Sequence, residues 1–289
     1  MRGRTGVVGL LVVLAVAGAG LAAWLGGGSS HTTSSTAPRT STGPRPPATL
    51  RVIFPEGFTR REMAARIAAV RLIAIGKRHV RPRLTAAGYL AASVAARAPR
   101  GFARHAGSRS LEGFLFPATY DFTQATTARE LVADQLAAFS EAFATVDLRY
   151  ARSKNLTRYD VLTIASMIEK EAVVPSERRL IAAVIYNRLH LHMPLGIDAT
   201  IRYGLDVPGT KSLTKAELAS SSPYNTRRFR GLPPTPIANP GLPSIRAAAH
   251  PARVNYLYYV RKPDKLHHFF TADAQAFFRK ECEYGYGCS

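Results

Sequence analysis

An α+β fold behind a single N-terminal transmembrane helix is predicted by three observations. Helix-length stretches repeat apolar residues every three to four positions, short stretches alternate them, and one uncharged apolar run stands near the N-terminus ahead of a Gly, Ser, Thr and Pro spacer.

The apolar run comes first in the chain. No charged residue occurs from Thr5 to Gly28, and Gly6 to Leu25 alone is long enough to cross the hydrocarbon core of a bilayer as a helix. Arg2 and Arg4 precede it, so the positive-inside rule keeps residues 1–5 in the cytoplasm, with 6–25 as the span and the body outside. The small residues Ala15, Ala17, Ala19 and Ala22 also allow a cleaved signal peptide. Residues 26–48 have almost no large apolar side chain and read as a tether.

Two segments follow, 49–100 and 101–289. In Arg51-Val-Ile-Phe-Pro-Glu-Gly-Phe-Thr59 an alternating strand runs into a turn, and Thr59 with Glu62 forms a capping box for a helix through Ile67 and Val70. Further on, Thr157 and Asp160 start a helix in which Val161, Ile164, Ala165, Ile168 and Ala172 recur at helical spacing, with Pro175 as its stop. A second helix leads from there to Met193-Pro194-Leu195-Gly196-Ile197-Asp198, and Ser212-Leu-Thr-Lys215 reads as a helix cap before Ala216-Glu217-Leu218. Asn255-Tyr-Leu-Tyr-Tyr-Val260 and His268-Phe-Phe-Thr271 read as a hairpin.

The helix of residues 157–172 carries the first candidate chemistry. At about 100° per residue, Glu171 and Glu169 flank opposite borders of its apolar face and do not share a site. Helical side chains lean toward the N-terminus, so Glu171 covers Met167 and Ile168 while Glu169 covers Ala165 and Ser166. Glu171 has the drier seat, and desolvation raises a carboxyl pKa toward what a general acid near neutral pH needs. Spacing alone leaves both open as solvated rim residues.

Five ordered motifs carry a resemblance: Leu111-Glu-Gly-Phe-Leu-Phe-Pro-Ala-Thr-Tyr120; Ile164-Ala-Ser-Met-Ile-Glu-Lys-Glu-Ala172 with Pro175 to Leu189; Asp198-Ala-Thr-Ile-Arg-Tyr-Gly204; Pro223-Tyr-Asn-Thr226 with Gly231-Leu-Pro-Pro234; and Ile237-Ala-Asn-Pro-Gly241 with Ala247-Ala-Ala-His-Pro251. Over residues 111 to about 275 the chain resembles the endolytic murein transglycosylase family (MltG/YceG-like). The resemblance implies a mixed helix and short-strand catalytic domain at 101–289, preceded by a small LysM-like module at 49–100; the strand and helix of 49–100 could equally pack as part of the catalytic domain, with no sugar-binding role. It implies cleavage between N-acetylmuramic acid and N-acetylglucosamine inside peptidoglycan strands, leaving 1,6-anhydro ends and limiting nascent strand length. Coordination with cell-wall synthases is implied as well.

The family's catalytic glutamate falls on Glu171. A single acid suffices in such a reaction, because the nucleophile is the sugar's own 6-hydroxyl. Candidate substrate-binding residues are Glu112, Asp198, Thr200, Tyr224, Asn225 and His250. Glu112 could equally cap a loop, Asn225 could satisfy its own turn, and His250 could simply precede a proline turn. Relatives usually read Pro-Leu-Gln-Ser/Thr-Asp-Pro-Thr where this chain has Pro194-Leu-Gly-Ile-Asp-Ala-Thr200. That altered loop is the one feature favouring a wall-binding scaffold over an enzyme.

The formal charge is +20, from 39 Lys and Arg against 19 Asp and Glu. With the body outside the membrane, nucleic acid is not the expected partner. The excess reads either as an attraction to anionic wall polymers or as a solvated surface with biased composition. No cofactor or metal is expected: His190-Leu-His192 has the wrong spacing for a shared ligand set. Ser212-Leu-Thr-Lys215 matches Ser-x-x-Lys but lacks a Lys-Thr/Ser-Gly partner. Cys282 and Cys288, the only cysteines, are placed to close a short disulfide in an oxidising compartment.

Overall fold

A computed structural model describes residues 48–102 and 110–287. The predicted segments 1–5 and 6–25, and all of 26–48 but its last residue, lie outside the described residues. Among the described residues no helix is long and apolar enough to cross a membrane.

The chain opens with strand β1 (Leu50–Ile53), helix α1 (Arg60–Arg78), helix α2 (Ala86–Ala95) and strand β2 (Thr119–Phe122). β1 and β2 pair antiparallel, Leu50 opposite Phe122 and Ile53 opposite Thr119. Thr59 accepts a hydrogen bond from the Glu62 N–H and Glu62 answers to the Thr59 N–H, so the predicted capping box starts α1. The unit that begins at β1 is therefore closed by a strand beyond residue 100. Its core is also shared: Phe54, Met63 and Tyr89 join the same apolar cluster as Phe114, Phe139 and Ile164. The Tyr89 hydroxyl donates at 2.7 Å to Gln135, in the next helix.

That helix is α3 (Ala128–Ala144), followed by the short α4 (Arg149–Ser153). Phe102, Phe114, Phe139 and Phe143 interlock on its inner side, with ring centroids 4.9 to 5.5 Å apart. Next come α5 (Arg158–Glu171), a 3-10 turn (Pro175–Glu177), α6 (Arg178–His190), α7 (Asp198–Leu205) and α8 (Lys215–Leu218). Helix α9 (Leu242–Ala249), the hairpin β3 (Tyr258–Arg261) and β4 (His268–Thr271), and α10 (Ala274–Glu283) complete the order.

Helix α5 starts at the predicted Thr157/Asp160 capping box. It differs from expectation in being buried all round, from Val161 to Ile168 without a gap, because α9 packs along it and α6 covers another side. The helical spacing implies an amphipathic stripe, and tertiary packing on several sides replaces it. The helix ends at Glu171, before Pro175, and Ala172 caps it.

Asn239, fully buried, ties three remote segments together. Its Oδ1 accepts from the N–H groups of Gly113 and Leu115 at 2.8 and 3.0 Å, while its Nδ2 donates to Phe58 O at 2.9 Å and Glu112 Oε1 at 2.7 Å. All four hydrogen-bonding positions of the amide are filled. Gly113 has φ +90°, and a Cβ there would sit 2.7 Å from Pro236, so only glycine fits.

Asn239→Ala should lower the unfolding free energy by about 3 kcal/mol or more, since it strands several buried donors and acceptors at once. Urea denaturation beside an exposed control such as Ser140→Ala checks this. A loss no larger than the control's would mean that the junction does not depend on the amide.

Candidate active site at the end of the buried helix

The last residue of α5, Glu171, is where a buried helix meets the surface. The hairpin reaches it from far along the chain. Asn187 on α6 donates to Val254 O and Tyr256 O at 2.9 Å, and Arg188 donates to Leu257 O at 2.5 Å, which fixes the entry into β3. Period-2 alternation then puts Tyr259 and Arg261 on one face of the strand. Arg261 Nη2 donates to the Glu171 carbonyl at 3.4 Å, and the Tyr259 hydroxyl hydrogen-bonds the Glu171 carboxyl.

Burial pushes the Glu171 pKa up to about 7. The Arg261 guanidinium opposes the rise, the negative charge of Asp198 adds to it, and the Tyr259 hydrogen bond and Arg202 pull it back in smaller measure. Tyr259 itself is held well above its ordinary range by burial and by the neighbouring carboxyl, so its hydroxyl stays a donor. The group at Glu171 can therefore hold a proton near neutrality and yet has donors ready for its charged form.

A buried pair stands behind Tyr259. Glu177, at the end of the 3-10 turn, accepts from the His268 N–H at 2.8 Å, and its other oxygen lies 2.6 Å from His268 Nδ1. The His268 ring meets Tyr259 edge-on, with centroids 5.3 Å apart.

Glu169 faces elsewhere, as its angular position implies. It accepts from the Gly241 N–H at 3.0 Å, at the start of α9, and lies 3.8 Å from Arg178. Its side chain is only 7% exposed, drier than the sequence implies, because Gly57 and α9 close over it.

The other candidates from the sequence fall into three places. Asp198, first residue of α7, is close enough to raise the Glu171 pKa, and it forms a half-exposed ion pair with Arg227 at 2.7 Å. Glu112 is buried among internal donors: Arg60 N–H at 2.9 Å, Asn239 Nδ2 at 2.7 Å and the Tyr203 hydroxyl at 3.2 Å. Burial raises its pKa to about 7, with those hydrogen bonds opposing. Tyr203 also packs beside Tyr224, whose hydroxyl lies 2.8 Å from Thr235 Oγ1. Thr200 is fully buried, donating to Ile197 O and touching Thr226 Oγ1. Asn225 is buried as well, and binds Leu218 O, Ser220 O and the Arg227 N–H within its own turn. His250 caps the far end of α9 from Gly241 and gives its carbonyl to Arg179 at 2.9 Å. The structure thus brings Asp198 to Glu171, uses Glu112, Thr200, Asn225 and Tyr224 as internal supports, and leaves His250 at the other end of α9.

Gly196 and Ile197, which replace the usual Gln and hydroxyl residue, are built into the fold. Gly196 adopts φ +68° with Arg188 against it, and Ile197 is buried. Sequence reasoning does not single out Tyr259 and Arg261. The alternation of Tyr256, Tyr258 and Val260 against Tyr259 and Arg261 is the available signal, but nothing local ties it to Glu171.

Residues 31–281 match the model of the YceG-like family. The endolytic murein transglycosylase of Bacillus subtilis (strain 168) is 39% identical over 152 residues, covering 53% of this chain and 42% of that protein. That of Streptococcus pneumoniae (strain ATCC BAA-255 / R6) is 38% identical over 156 residues, 52% of this chain and 28% of that protein. The chain therefore spans less than half the length of these curated relatives. A crystal structure of a yceG-like protein from Listeria monocytogenes superposes with a TM-score of 0.64 at 28% identity, covering 78% of this chain and 74% of that one.

The opposed influences on Glu171 give a direct check. Arg261→Gln should move its titration to higher pH and Asp198→Asn to lower pH, read by carbon-13 NMR of labelled glutamate. Shifts in one common direction would overturn the assignment of these neighbours.

Proposed function

The chain belongs to the YceG-like family, and from that premise we propose that it is an endolytic peptidoglycan lytic transglycosylase with Glu171 as its one catalytic acid and base. The observation that carries this reading is the half-buried Glu171 carboxyl at a helix end, hydrogen-bonded by Tyr259 and with its pKa pushed up to about 7. Such a group donates a proton at neutral pH and can take one back.

In the proposed reaction Glu171 protonates the oxygen between N-acetylmuramic acid and N-acetylglucosamine, and the bond from that oxygen to the muramoyl C1 breaks. Charge then develops on the carboxylate and, with opposite sign, on the sugar ring. The Tyr259 hydroxyl and the Arg261 guanidinium, both directed at Glu171, stabilise the carboxylate at that moment. The muramoyl 6-hydroxyl bonds to C1 and its proton returns to Glu171, leaving a 1,6-anhydro end and a restored acid. Asp198 is engaged with Arg227, so its carboxylate is already occupied, which favours this internal closure over attack by water.

The finer parts of the reading rest on the sequence. Gly6 to Leu25 is proposed as the membrane anchor, with the body outside and near the synthases whose strands it would shorten. The LysM-like module is proposed for residues 49–100, which hold β1, α1 and α2.

Glu171→Gln should reduce cleavage of purified glycan strands by at least about 100-fold without unfolding the protein. Glu169→Gln should be mild, since an amide oxygen can still accept from Gly241. A dead Glu169 variant beside an active Glu171 variant would reverse the assignment.

Products formed in oxygen-18 water should carry no label and should resist borohydride reduction. Labelled, reducing muramic acid ends would indicate hydrolysis and move Asp198 into catalysis.

A further inference from the structure

Helix α1 has an apolar face that nothing in the described chain covers. Ala65, Ala69, Leu72, Ile73 and Gly76 are exposed and recur at i, i+4, i+7, i+8 and i+11, one continuous stripe along the helix. Leu72 is 70% exposed and Ile73 53%, while Met63, Ala64, Ile67 and Ala74 supply the core contact on the other side.

Beyond the first turn of α1, where Glu62 stands and Asp206 pairs with Arg61, the sequence is one-sided in charge. Between Glu62 and Glu112 the sequence has no acidic residue and ten Lys or Arg, half of the formal excess of +20. Lys77, Arg78 and Arg81, at the end of α1 and just beyond it, are exposed, and among the described residues none of them is in a salt bridge. Arg78 also lies 3.4 Å from Thr49 O, where the described chain begins. In the sequence, the tether of residues 26–48 joins this point to the apolar run of Gly6 to Leu25.

We propose that the exposed face of α1 docks on an anionic lipid surface, with Leu72 and Ile73 entering the interface and Lys77, Arg78 and Arg81 held at the headgroups. The combination selects this occupant. A soluble anionic polymer would satisfy the cations but bury no part of Leu72 or Ile73, and a second copy in a two-fold contact would bring like charges together. The inference rests on the proposed anchoring, which brings a bilayer within reach. It adds an orientation: α1 spans about 28 Å at 1.5 Å per residue, and its first residue, Arg60, binds Glu112 beside Tyr203. Docking the far end of α1 would therefore hold Glu112 and α7, which carries Asp198, at a set height above the bilayer.

The test uses the full chain with Leu72→Cys carrying an environment-sensitive fluorophore, Cys282 being disulfide-bonded and so unreactive. In nanodiscs of phosphatidylcholine with phosphatidylglycerol the emission should shift to the blue, and in phosphatidylcholine alone it should not. Label at Lys211→Cys should be unaffected by lipid charge. Combined Lys77→Gln, Arg78→Gln and Arg81→Gln should weaken the docked state by about 100-fold. Recovery of the chain in discs reports the anchor and the spectral shift reports docking, so the two readings fail separately. A chain that stays out of discs but blue-shifts on added anionic vesicles overturns only the anchor. Docking is overturned by an unshifted label on both anionic discs and vesicles. It is equally overturned by a concentration-dependent shift without lipid, which means self-association, or by a shift with soluble polyphosphate alone.

Discussion

The four-bonded amide of Asn239 is the constraint on which the rest of the structure depends. It joins the turn before α1, the 112–115 loop and the segment leading to α9, three pieces with no secondary structure in common. Such loops cannot be buried unless their backbone groups find partners, and one side chain supplies several of them. Glu112 extends the junction to the first N–H of α1 and to Tyr203 on α7. Five pieces of the chain are thus registered by one polar network, which in a dry interior is strong when complete and costly when broken.

Because that network is internal, residues that read as sugar contacts turn out to have structural work. Asn225 and Thr200 follow the same pattern as Glu112, each with its polar atoms occupied by neighbouring backbone or hydroxyl groups. A motif rich in Asn, Thr and Glu on turn segments signals buried polar junctions as well as binding surfaces, and sequence alone does not separate the two.

What is legible in the sequence is local. The capping boxes at Thr59 and Thr157 depend on residues three apart and form as expected, and so does the final hairpin, though β3 begins at Tyr258 and not at Asn255. Features set by distant partners are not legible. The β1–β2 pairing joins residues about seventy positions apart. The burial of α5 on all sides comes from α9 and α6, and the Tyr259 and Arg261 side chains reach Glu171 only through the hairpin's placement by Asn187 and Arg188. Side-chain direction alone ranks Glu171 above Glu169, yet it names none of the neighbours of Glu171.

The position of Glu171 at the very end of α5 joins fold and chemistry. The last carbonyls of a helix lack intrahelical partners and carry partial negative charge, which by itself favours a protonated carboxyl nearby. Arg261 donates to one of these carbonyls, that of Glu171, and the same guanidinium lowers the pKa of the Glu171 carboxyl. One cation therefore satisfies the helix end and limits how far burial can raise the acid. Burial raises the Glu171 pKa and the Arg261 guanidinium opposes the rise, so the proton is held near neutrality, which is what a residue serving in turn as acid and base requires.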